Sequence, residues 1–145
     1  MPLPPQQIAT VKTTAPLLRT HGEMITTRMY EILFTKYPQT EALFANAENQ
    51  PAKLAQAIVA YATHIDKLEN LSNAVEHIAR KHVGAQVKPQ HYPMVADALL
   101  TAMSEVLGTE IITREVITAW TAAYHELAAI FQARETDLYN GWRDG

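Results

Sequence analysis

Two ionisable side chains, His82 and Glu135, stand where the hydrophobic pattern of this 145-residue sequence calls for apolar ones. Leu71, Val75, Ile78, Ala79 and His82 recur at spacings of 4, 7, 8 and 11, which puts the imidazole on the apolar face of a helix. Trp120, Tyr124, Leu127, Phe131, Glu135 and Leu138 form a second stripe, interrupted by one carboxylate. Each oddity has an ordinary explanation. A histidine on such a face is more often a hydrogen-bonded core residue than a ligand, and Glu135 lies close to a last turn that can fray into solvent. Together they suggest more, because a metal-bound imidazole usually donates its other ring N–H to a carboxylate or carbonyl that fixes its orientation and raises its basicity.

No competing metal site is written in the chain. There is no H-E-x-x-H motif and no calcium loop, and His77 and His82 are five positions apart, so they diverge around a helix. With no cysteine, neither a disulfide nor a thiolate site can form. A single histidine ligand from a helix suits haem, where the porphyrin supplies the other four donors.

The elements that must position these residues are helices throughout. Helical periodicity dominates and no sustained two-residue alternation occurs, so the chain reads as all-α. A first helix is expected from about Pro5 to Gly22, kinked at Pro16. A second follows at once, with Ile25, Met29, Ile32 and Leu33 inward, and ends at Pro38. A short piece, Pro38 to Phe44, turns the corner. Pro51 suits the start of a third long helix burying Leu54, Ile58, Tyr61, Ala62 and Ile65. Gly84 and Lys88-Pro89 close the helix that carries His82. Another runs from Tyr92-Pro93 to Gly108, with Val95, Leu99, Met103 and Val106 inward. The last starts after Thr113, a candidate N-cap with Val116 behind it.

Composition narrows the function further. An apolar fraction of 48% with 19% charged residues fits one soluble globular domain. A net charge of −3 without a dense basic run argues against nucleic acid as a partner. No run of 18 apolar residues and no signal-like start appear, so the expectation is a cytoplasmic protein without a membrane span.

Ile78-Ala79-Arg80-Lys81-His82, continuing through Val87-Lys88-Pro89-Gln90-His91-Tyr92-Pro93, resembles the proximal region of bacterial flavohaemoglobins and single-domain Vitreoscilla-type haemoglobins. The likeness extends over nearly the whole chain, through Thr10-Val11-Lys12, Ala15-Pro16-Leu17-Leu18, Ile58 to Ala62, Ala119-Trp120, Ala123-Tyr124 and Phe131 to Tyr139. It implies the globin fold, a three-over-three helical sandwich over residues 1–139, and haem b as cofactor. It makes His82 the proximal iron ligand, Tyr92 and Glu135 the hydrogen-bonding partners of its imidazole, and Lys81 a cofactor-binding neighbour. On the opposite haem face it implicates Tyr30, Gln50 and Leu54, with Phe44 against the porphyrin. A phenol and an amide there can donate to iron-bound O2, while Leu54 limits access. One departure is the short connection from Phe44 to Gln50, with Pro51 directly after, which can leave Gln50 at the mouth of the pocket.

Two-domain relatives carry a flavin and nicotinamide reductase after the globin. Here residues 140–145 resemble the start of their connector, and no dinucleotide fingerprint occurs. The resemblance therefore implies a globin that takes O2, NO and CO and, given an external flavin/NAD(P)H reductase, converts NO to nitrate. An O2 carrier or reservoir for respiration at low oxygen fits the same residues. A sensor or haem-free interaction module is a third class; sensing needs an output domain, and a haem-free module has no reason to pair His82 with Glu135. Apolar area on the histidine-bearing and last helices could also support a homodimer, although core burial explains it equally well.

Overall fold

The computed structural model describes residues 3–44 and 50–140. Among them the chain forms α1 (Pro5–Lys36), α2 (Gln50–Thr63), α3 (Ser72–Gly84), α4 (His91–Leu107) and α5 (Arg114–Tyr139), with 3-10 turns at Pro38–Phe44 and Leu68–Leu71 and no strand. The first two helices expected from sequence are one. α1 runs unbroken for 32 residues through both Pro16 and Gly22. Gly22 is a crossing point and not a stop: a Cβ built there would lie 3.2 Å from the Ala55 Cβ of α2, so its missing side chain lets the two helices approach. One turn later the buried Thr26 donates its hydroxyl to the Pro51 carbonyl at 2.6 Å, fixing the first turn of α2 against α1.

Along α1 the heptad-like series Val11, Leu18, Ile25 and the pair Met29 and Leu33 are fully buried. They pack with Leu99 and Met103 of α4 and Trp120 of α5 in one large cluster. Each such aliphatic side chain contributes about 1.5–3 kcal/mol by leaving water. Trp120 is buried without cost to its indole N–H, which donates to Thr14 Oγ1 at 3.0 Å. A second, smaller cluster joins Ala79 of α3, Tyr92 of α4 and Ala128 and Phe131 of α5. α2 packs chiefly on α1, and α3 on α5, while α2 and α3 share no substantial interface.

Helix ends explain how the site-bearing segments are held. Thr113 caps α5, its hydroxyl accepting from the Val116 N–H at 3.3 Å, and Gly108 takes the left-handed conformation that ends α4, with φ of 88°. α3 ends where the sequence placed its end, but the turn that closes it lies further on. Gly84 is its last helical residue, and the left-handed position falls to Gln86, with φ of 66°. The Val87 N–H bonds the His82 carbonyl at 2.9 Å and the Gln86 N–H bonds the Val83 carbonyl at 3.0 Å. These are the paired bonds of a Schellman closure. A non-glycine residue in that position costs about 1 kcal/mol, offset by satisfying the last carbonyls of the helix. Connector residues 141–145 lie outside the described residues.

Candidate functional site

His82, Tyr92 and Glu135 come from three different helices and meet. The His82 Nδ1 lies 2.7 Å from Glu135 Oε2 and 3.2 Å from the Tyr92 hydroxyl. Tyr92 in turn approaches Glu135 Oε1 at 2.7 Å and Oε2 at 2.8 Å. The phenol has one proton and the carboxylate accepts, so Tyr92 donates to Glu135. Burial, and next the hydrogen bond to Glu135, push the Tyr92 phenol well above its ordinary value, which keeps that proton in place. The carboxylate then accepts the imidazole Nδ1–H as well. With Nδ1–H so engaged, Nε2 is the ring nitrogen left for a partner from outside the protein. Among the described residues no hydrogen bond engages Nε2.

Burial is divided along the same line: the Glu135 side chain is 4% exposed and that of His82 is 31% exposed. The carboxylate is thus buried while the imidazole it holds is partly exposed. Sequence reasoning allowed that Glu135 might fray; instead α5 continues to Tyr139 and seats the carboxylate in the core.

Three residues that the sequence reading gave no site role support this arrangement. The Tyr124 hydroxyl donates to the Tyr92 carbonyl at 2.9 Å, anchoring the first turn of α4. Phe131 lays its ring 5.4 Å from the imidazole at 58°. Tyr139 donates to the Val87 carbonyl at 2.7 Å. The signal for two of them was present: Phe131, Glu135 and Tyr139 recur every four residues on one face of α5. Lys81 is exposed on α3 and makes no side-chain hydrogen bond or ion pair among the described residues.

The residues that the resemblance assigns to the other haem face stand in an aromatic group. Tyr30 meets Phe44 edge-on at 5.1 Å and 77°, and Phe34, one turn along α1, closes the trio at 5.7 Å from each. Phe34 was not singled out from sequence, although its spacing of four from Tyr30 places it on the same face. Burial raises the Tyr30 phenol above its ordinary value, so it remains a donor, and its hydroxyl has no hydrogen-bond partner among the described residues. Leu54 is half-buried on α2. Gln50 is the first residue of that helix, half-buried, with no hydrogen bond to Tyr30; the connection at 45–49 lies outside the described residues.

These residues fit a flat macrocycle that brings its own equatorial donors. One imidazole nitrogen without a protein partner is offered, and among the described residues no group of three or more His, Asp or Glu could hold a metal ion alone. Half-buried apolar side chains, Leu54 and Ile58 of α2 and Val75 and Ile78 of α3, stand on two helices that do not pack together.

The globin family model matches residues 27–131. The chain is a globin. The all-α globin fold expected from sequence is the one observed, and membership in the family implies haem binding. This globin is 53% identical over 136 residues to a globin-like protein of Aquifex aeolicus, covering 93% of this chain and 96% of that protein. It is 44% identical over 149 residues to a flavohemoprotein of Pseudomonas putida, covering 95% of this chain but 38% of the relative. Among solved structures, an engineered carbene transferase built on a candidate nitric oxide dioxygenase of Rhodothermus marinus superposes with a TM-score of 0.91 at 36% identity, over 95% of this chain and 96% of that one. A bacterial globin of Campylobacter jejuni does so at 0.87 and 34%, over 94% and 99%. Among the described residues no helix is long and apolar enough to cross a membrane.

Proposed function

We propose that this globin, with residues 1–139 as its haem-binding unit, takes haem b on His82 Nε2, binds O2 and NO, and converts NO to nitrate when an external flavin/NAD(P)H reductase supplies electrons. The observation that carries the reading is an imidazole whose Nδ1 lies 2.7 Å from a buried carboxylate while no hydrogen bond among the described residues engages Nε2. Bound haem would supply the iron that takes O2, NO or CO and the redox change in which NO is oxidised. Glu135 polarises the His82 ring by accepting its proton's hydrogen bond, so more electron density is available at Nε2 than a neutral partner would give. Tyr92 holds the carboxylate at a fixed angle by donating to it. Tyr30, protonated and without a protein partner among the described residues, can donate to an oxygen ligand in the space it borders. Phe34 and Phe44 keep that space apolar, and Leu54 narrows it.

The similarity to flavohemoproteins supports the link to NO chemistry, although the chain spans only 38% of the Pseudomonas putida relative. Ferric, ferrous and CO spectra of the purified protein test the first step; no Soret band would end every haem reading at once. NO consumption over many turnovers, with a flavin reductase and NAD(P)H present, tests the second. A protein that oxidises once and stops is an O2 carrier and not a dioxygenase.

A further inference from the structure

α5 grips the segment bearing His82 at two points one helical turn apart. Glu135 takes the imidazole at Nδ1, and Tyr139 takes the backbone five residues further on, its hydroxyl donating to the Val87 carbonyl at 2.7 Å. Val87 is no ordinary loop residue, because its own N–H closes the end of α3 on the His82 carbonyl at 2.9 Å. A single residue, Val87, therefore connects the Tyr139 hydroxyl, through two hydrogen bonds, to the backbone of His82. The closure includes the left-handed Gln86, a conformation that needs outside support to persist. Lys88 adds to the grip: its ammonium sits 4.0 Å from the centroid of the Tyr139 ring, and its backbone N–H donates to His91 Nδ1 at 2.9 Å. Burial, followed by the Glu135 charge, raises the Tyr139 phenol, so it stays a donor.

We infer that Tyr139 is a positioning residue for the iron ligand: it latches the α3 terminus to α5 so that the His82 ring meets Glu135 at hydrogen-bonding distance. The inference rests on ligation by His82 as proposed above. Without the latch, the terminus of α3 can shift along α5, the Nδ1–H to Oε2 bond lengthens, and the imidazole loses part of its anionic character. The ring and its Lys88 contact are kept when only the hydroxyl is removed, so Tyr139→Phe isolates the latch.

The test uses the haem-loaded full chain with two readouts. In Tyr139→Phe the Val87 amide should exchange with solvent about fivefold faster, the effect of one lost neutral hydrogen bond. The iron–histidine stretching band in the resonance Raman spectrum of the ferrous protein should move to lower frequency. Tyr61→Phe is the control, since that hydroxyl also donates to a helix carbonyl, Ala123 at 2.9 Å, but far from His82 in the chain and on another helix; it should move neither readout. A haem-loaded Tyr139→Phe with the parent's band position overturns the positioning role even if Val87 exchange rises. Unchanged Val87 exchange overturns the latch itself. If the unsubstituted protein takes up no haem, the underlying ligation reading has failed, and the absence of a Soret band identifies that failure separately.

Discussion

The two sides of the site are built on opposite principles. Around His82 every donor meets an acceptor of the protein: Nδ1–H and the Tyr92 hydroxyl both end on Glu135, the Tyr92 carbonyl receives Tyr124, and Val87 receives Tyr139. Around Tyr30 the contacts are ring against ring, and the one polar group has no protein partner among the described residues. A satisfied network specifies one orientation. A donor with no protein partner beside apolar rings is free to serve an incoming polar ligand. The protein thus fixes the imidazole proposed as iron ligand and leaves the aromatic set to be completed by what binds.

That contrast can be broken outright at His82. His82→Ala should abolish stoichiometric haem uptake, read as loss of the Soret band after purification, whereas no single substitution in the aromatic trio should do so. The next largest effect is expected at Glu135. Glu135→Leu strands both the imidazole N–H and the Tyr92 hydroxyl in a buried setting and should cost roughly 2–4 kcal/mol in denaturant unfolding. Glu135→Gln keeps the shape but removes the charge, and should raise the haem reduction potential. Tyr30→Phe should behave in the reverse manner. Stability should hardly change, because no protein hydrogen bond is lost, while O2 dissociation should quicken about tenfold or more through loss of a donor to a charged ligand. A marked fall in stability in that variant would show that Tyr30 belongs to the closed kind of network after all.

The smallest effect concerns pH. Glu76 of α3 accepts from Arg134 of α5 at 2.6 and 3.0 Å and from Arg80 at 2.6 Å. Arg134 chiefly, then Arg80, hold its carboxyl below the ordinary range against a partial loss of hydration. This bridge stabilises α3 on α5 fully above the unfolded carboxylate value of about 4.3 and is lost as pH falls through the lower folded value. Glu76→Gln should therefore flatten the acid limb of a pH–stability curve slightly and leave neutral pH nearly unaltered. The pair is more than a third exposed, so added salt should shrink the difference.

Much of the architecture was legible because its signals are local. The turn at Pro38–Phe44, the Thr113 cap and the stop at Gly108 all follow from one or two residues whose backbone preferences leave few choices. Gly22 misled because a glycine that ends a helix and a glycine that admits a crossing helix look alike until Ala55 is in place. Gly84 does end α3, but the left-handed turn that closes it falls two positions later, on Gln86, a residue type that carries no such signal. In the candidate site, His82 and Glu135 stood out as polar breaks in apolar stripes. Tyr92 did not, since an aromatic at a helix start reads as core, and only its resemblance to the family's proximal region marked it. Phe34, Tyr124 and Tyr139 are ordinary by type. Periodicity puts Phe34 on the face of Tyr30 and Tyr139 on that of Glu135, but does not say which ring or backbone carbonyl each of the three meets.

The uneven sizes of the two apolar clusters have a consequence for how the molecule opens. α1, α2, α4 and the first half of α5 share the large cluster, whereas α3 buries a single residue, Ala79, and leans on the far end of α5. Local unfolding follows such differences, so α3 is expected to open at a lower free energy than α1. If His82 holds the iron as proposed, its helix is then a segment that gains order from the bound cofactor. A chain without haem should keep a cooperative nucleus of α1, α4 and early α5 while α3 samples detached states, so that cofactor capture doubles as the final folding step.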